Sequence, residues 1–219
     1  MPFHKTLRAG LLTAILIGVS GGAQAAFIAE SGIVGGSGDV DNLVSNPCSG
    51  TITGPASLVQ GCLQSATGTV VDLSSTTDQL TISGGQATLS AVDGIINQLT
   101  IALDNATDTF AKLIIDVQRT ANQDGTITFT ADPSSGQGPF QFSLGNGSNF
   151  FTITGEDFSS VSFTVSGVAP GDRIDLEVKQ IRLGGVSGST PIPEPATLAL
   201  MGMGLAGLGL VARRRRRQS

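Results

Sequence analysis

Between residues 26 and 193, apolar and polar positions repeatedly alternate with a period of two. Leu80 and Ile82 alternate with Thr81 and Ser83, and Leu99, Ile101 and Leu103 with Thr100 and Ala102. Ile127 and Phe129 alternate with threonines, and Phe140, Phe142 and Leu144 share one parity, as do Phe151 with Ile153 and Val161 with Phe163 and Val165. This period puts one set of side chains on each face of a half-buried strand. Turn signals separate the runs: Gly84-Gly85, Asp93-Gly94, Asp124-Gly125, Gly145-Asn146-Gly147 and Pro170-Gly171. About ten strands at this spacing predict an all-β domain over 26–183, a single β-sandwich in which a jelly-roll connectivity is one option.

Two runs depart from simple alternation. Lys112 to Val117 is more uniformly apolar through Leu113, Ile114 and Ile115, as a central strand would be. In the last run Ile174, Leu176 and Val178 share a parity that flips to Ile181 and Leu183. A one-residue slip turns the core side outward, so a β-bulge near Lys179-Gln180 is predicted. The other face, Arg173, Asp175, Glu177 and Lys179, mixes charges and reads as a solvated surface. Gly184 to Pro191 has no charge and reads, over 184–192, as a flexible linker.

The two ends follow other patterns. A short basic stretch precedes the apolar run Ala9 to Val19, and Ala23-Gln24-Ala25 supplies small residues at a cleavage site. This is the layout of a secretory signal peptide over 1–25, with cleavage expected after Ala25. At the other end Pro193, Glu194 and Pro195 precede a 17-residue uncharged run, Ala196 to Ala212, and then Arg213, Arg214, Arg215, Arg216 and Arg217. At about 1.5 Å per residue this run makes a short transmembrane helix. The arginines would stay on the cytoplasmic side.

That tail, a Pro-Glu-Pro motif, an apolar helix and an arginine cluster over 193–219, resembles the PEP-CTERM sorting signal of Gram-negative bacteria. The resemblance implies recognition by exosortase, a membrane-embedded processing enzyme, and a host that makes exopolysaccharide. It implies a precursor held transiently in the inner membrane and a mature form at the cell surface or outside. The segment Leu144 to Ile153 is similar to a turn-and-strand phrase in other proteins with this tail, with no activity attached.

Charge and composition narrow the function of the middle. Residues 26–193 hold five basic residues against 16 acidic ones, a net charge of −11. Such a domain does not attract nucleic acid. It has no His, Trp or Tyr, which excludes histidine acid–base chemistry, Ser-His and Cys-His pairs and histidine-ligated zinc. Cys48 and Cys62, the only cysteines, read as a disulfide in an exported chain, worth about 3 kcal/mol by loop entropy.

Asp39, Asp41 and Asn42 sit in a glycine-rich stretch and form a weak calcium candidate, against which a plain loop is the favoured reading. A glycosidase would need two carboxylates across a cleft. The few glutamates, Glu30, Glu156 and Glu177, and the turn-associated aspartates give little support to one. The expected function is therefore an exported, non-catalytic surface or matrix protein, without cofactor, associated with exopolysaccharide or biofilm. The alternatives are a calcium-dependent carbohydrate-binding module and a carboxylate-based hydrolase.

Overall fold

The computed structural model describes residues 27–46, 48–119, 125–132, 138–167 and 176–188. The described residues form thirteen strands and no helix. These are β1 (Ile28–Ser31), β2 (Val40–Val44), β3 (Leu58–Leu63), β4 (Val70–Ser74), β5 (Leu80–Ser83), β6 (Thr88–Ala91) and β7 (Gln98–Leu103). The remainder are β8 (Phe110–Arg119), β9 (Gly125–Asp132), β10 (Phe140–Leu144), β11 (Gly147–Phe158), β12 (Ser160–Ser166) and β13 (Leu176–Gly184). Strict alternation does what it predicts in β7, where Leu99, Ile101 and Leu103 are buried and the residues between them only partly so.

All pairings are antiparallel and follow one path: β1, β11, β8, β13, β2, β3, β4, β7, β12, β9, β10. β6 joins β13 beside β2, and β5 pairs with β6. The path folds at β2, which bonds to β13 through Asn42↔Arg182 on one side and to β3 through Leu43↔Leu63 on the other. Glycines permit this tight corner. A Cβ on Gly184 would lie 2.7 Å from the Asp39 carbonyl, and one on Gly61 2.8 Å from that of Val44. The strands before the corner make the first layer and those after it the second, which gives the all-β sandwich.

The two inner faces meet in one apolar core. Phe129 of β9 contacts Phe151 of β11 across the layers, with ring centroids 5.1 Å apart, and also contacts Phe163 at 5.9 Å within its own layer. Burying each such ring removes it from water at a gain of about 1.5–3 kcal/mol.

β8 is the central strand of the first layer, between β11 and β13. Leu113, Ile115 and Val117 enter the core, while Ile114 on the opposite face is equally buried. The expected bulge is present in β13. Its register against β8 shifts between Lys179 and Arg182, and Gln180 takes a φ of 49°. Leu176 and Val178 before the bulge and Ile181 and Leu183 after it all reach the core. The bulge also divides the strand's other edge, which pairs with β6 at Val178 and Lys179 and with β2 from Arg182 onward. Arg173, Ile174 and Asp175 lie outside the described residues.

The expected linker starts later than its composition implies. Gly184 closes β13, Val186 packs on the core, and Ser187 exchanges two backbone hydrogen bonds of 2.9 Å with Thr109. Backbone pairing, which needs no apolar side chain, holds these residues to the fold.

Candidate functional site

Asp39, Asp41 and Asn42 are each engaged by a different protein partner. Lys112, with its side chain 10% exposed, donates from Nζ to Asp39 Oδ1 and to the Gly36 carbonyl, both at 3.0 Å. The Lys112 hydrogen bond, followed by one from Asp39's own backbone, holds the Asp39 carboxyl below its ordinary range. Asp41 accepts the Ser65 amide at 2.8 Å and the Ser65 hydroxyl. Asn42 bonds to Gln64 and Gln86, each at 3.3 Å. Among the described residues no group of three His, Cys, Asp or Glu side chains is placed to hold a metal. A shallow cleft of about 400 Å³ lies between Asp39, Asp41, Ser65 and Val186, with both carboxylates already engaged.

The Lys112 contacts have another role. The connection from β1 to β2 crosses the outer face of the first layer. Thr152 of β11 fastens one end, donating to the Gly32 carbonyl at 2.7 Å and accepting the Val34 amide at 3.0 Å. Lys112 of β8 fastens the other. A cation this deep is tolerated because it is paired and hydrogen-bonded. The connection explains why Ile114, between these fasteners, is buried on the outer side of a sheet.

The rest of that outer face is polar. In register across three strands stand Phe150 of β11, Asp116 of β8 and Lys179 of β13. Phe150 and Lys179 are half-buried, whereas Asp116 is only 2% exposed. Among the described residues, Asp116 Oδ1 accepts no hydrogen bond. One row further, opposite Ile114, Arg182 donates from Nη2 to Gln180 Oε1 at 2.7 Å, while its buried Nε has no acceptor among the described residues. Lys179 Nζ contacts Gln118 Oε1 and pairs with Glu177 at 2.9 Å. The solvated surface read from β13 alone is thus one edge of a patch with a buried carboxylate at its centre. The missed signal was Asp116 itself, a charged residue inside a run apolar enough to be buried on both faces.

Cys48 and Cys62 are joined by a disulfide, with Cα atoms 5.7 Å apart. It ties the irregular segment after β2 to β3, and Cys62 is fully buried. The sorting residues Pro193, Glu194 and Pro195 and the arginines Arg213 to Arg217 lie outside the described residues, as do the expected leader and the helix 196–212. No described helix is long and apolar enough to cross a membrane.

Residues 191–217 match the PEP-CTERM protein-sorting motif, so the C-terminal tail is a sorting signal of that type. It marks the chain as an exosortase-sorted extracellular protein. No curated protein matches the chain. Two solved structures are similar to it, both variants of CBM29-2, a family 29 carbohydrate-binding module studied for ligand recognition. The first is 11% identical with a TM-score of 0.32, and the alignment covers 77% of this chain and 98% of that one. The second is 12% identical with a TM-score of 0.31, covering 77% and 99%. A likeness at these scores carries no functional argument.

Proposed function

We propose that this protein is an exported, non-catalytic surface or extracellular-matrix component of a Gram-negative bacterium, released by exosortase and associated with exopolysaccharide. The sorting motif over 191–217 carries the reading. The leader expected over 1–25 would start export, and the arginine block would stop transfer until the tail is removed. The domain between them supports a structural role. It is a disulfide-tied sandwich in which the carboxylates of Asp39, Asp41 and Asp78 are engaged by protein donors. The test is the mass of the surface protein in a host with exosortase. It should lack Arg213 to Arg217, and deleting the enzyme should leave a larger, membrane-bound form. A surface protein that retains its arginines makes the tail a permanent anchor and sinks the sorting reading.

A further inference from the structure

We propose that the part of the first layer's outer face beside the β1–β2 connection, floored by Phe150, Asp116 and Arg182, is a binding site for a neutral polysaccharide chain. This rests on the exopolysaccharide association proposed above and names the surface responsible for it. Asp116 shares its parity with Lys112 and Gln118, away from the core residues Leu113, Ile115 and Val117. A buried carboxylate oxygen without a donor costs about 1–3 kcal/mol or more. Asp116 Oδ1 is such an oxygen. Arg182 Nε, on the neighbouring strand and in the next row, is a buried donor without an acceptor. An acceptor and a donor left open on adjacent strands, one row apart on the same face, complement the hydroxyl groups of a sugar, each of which donates and accepts at once.

Phe150 supplies the second element of the site. Its half-buried ring stands in register with Asp116 on the adjoining strand. An aromatic face beside hydrogen-bonding groups suits a sugar ring, which has apolar C–H faces and a polar rim. The neighbours of Asp116 that a ligand must displace, Lys179 and Gln118, are unbranched and half-exposed. They can swing outward without moving the strands. Ile33 and Val34, 45% and 39% exposed, flank the patch from the connection that crosses the sheet. Charge selects a neutral ligand. Lys179 and Arg182 are offset by Glu177 and Asp116, and the domain's acidity repels polyanions.

The full chain in a non-glycosidic detergent should be retarded in native gels containing hydroxyethylcellulose, galactomannan or dextran, and not in gels containing alginate. Phe150→Ala and Asp116→Ala should each weaken the retardation about tenfold. Asp116→Ala relieves an unpaired buried charge and Phe150 is half-exposed, so both variants should melt within a few degrees of the parent. Absence of retardation in all three neutral gels, retardation in alginate alone, or unchanged retardation of both folded variants would overturn the site. Neither substitution touches the tail. A correctly sorted protein that binds none of the neutral polysaccharides defeats this inference alone, and an unsorted one that binds through Phe150 and Asp116 defeats only the sorting.

Discussion

Phe27 and Phe140 meet edge to face, with ring centroids 5.0 Å apart and planes at 87°. Phe27 immediately precedes β1, the first strand of the sheet path, and Phe140 opens β10, the last. The pair therefore closes the sandwich where no ladder of hydrogen bonds does. Gly138 belongs to the same closure, because a Cβ there would lie 3.0 Å from the Phe27 ring.

Phe27→Ala should lower stability by about 3–5 kcal/mol, since it empties a fully buried aromatic site. Denaturant melts would measure the loss. The variant should also aggregate more readily, because β1 becomes a loose edge strand. Unchanged stability would mean that β1 and β10 are held together by something other than this contact.

Deleting Gln180 should unfold the domain or leave it collapsed without fixed packing. The deletion removes the extra residue of the β13 bulge and would turn Ile181 and Leu183 away from the core. Gln180→Gly should fold, because glycine adopts the observed φ of 49° without strain, although it loses the hydrogen bond from Arg182. Near-ultraviolet circular dichroism and thermal melts would distinguish the two. A deletion variant with parental stability would mean that the strand can shift its register.

The bulge was legible because burial on one face forces parity, and Val178 to Ile181 breaks it. β7, β9 and β12 were legible for the same reason. β2 and β3 were not, since Val40 to Val44 and Leu58 to Leu63 bury residues without clean alternation where the path turns its corner. The Asp116 patch was hidden because its burial depends on partners far away in sequence. Phe150 and Lys179 are brought beside Asp116 only by pairing, and Lys112 holds the β1–β2 connection from more than seventy positions downstream. The partners of the calcium candidate were hidden in the same way. Lys112 and Ser65, distant in sequence, engage Asp39 and Asp41, and Asn42 points to the other face and bonds to Gln64 and Gln86.

Asp78→Ala should destabilise the fold by about 3 kcal/mol by removing a carboxylate that satisfies several donors. Its Oδ2 accepts from Ser75 Oγ at 3.0 Å, Thr77 Oγ1 at 2.9 Å and the Asn97 amide at 2.9 Å, and its Oδ1 from Asn97 Nδ2 at 2.8 Å. Burial, the largest influence, pushes the Asp78 pKa up, but hydrogen bonds from Asn97, Thr77 and the Gln98 backbone outweigh it and hold the carboxyl below its ordinary 3.8. A carboxyl that is more acidic in the folded state stabilises above its unfolded value and loses that contribution as pH falls through the folded one. Wild-type stability should therefore fall below about pH 3.8, and Asp78→Asn should show a shallower acid limb. Equal acid limbs in the two proteins would remove Asp78 from the account.

Thr109 and Ser187 are joined by two backbone hydrogen bonds and by their hydroxyls at 2.7 Å, so the chain leaves the sandwich no earlier than Gly188. Five residues further on comes Pro193, a span of at most about 18 Å when fully extended. A membrane-embedded enzyme must grip the chain within that span while a folded domain stands beside it. Deleting residues 189–192 should slow processing and let the larger precursor accumulate in the membrane fraction. Inserting four glycine and serine residues at the same place should leave processing unchanged, because added flexible length costs little once the span suffices. Ser187→Pro, which removes an amide that bonds to Thr109, should restore part of the lost processing in the shortened chain by freeing residues from the edge of the fold. Immunoblots of membrane and surface fractions would read all three. If the shortened chain is processed as fast as the parent, exosortase needs no clearance from the sandwich, and the separation of motif and fold has no role in sorting.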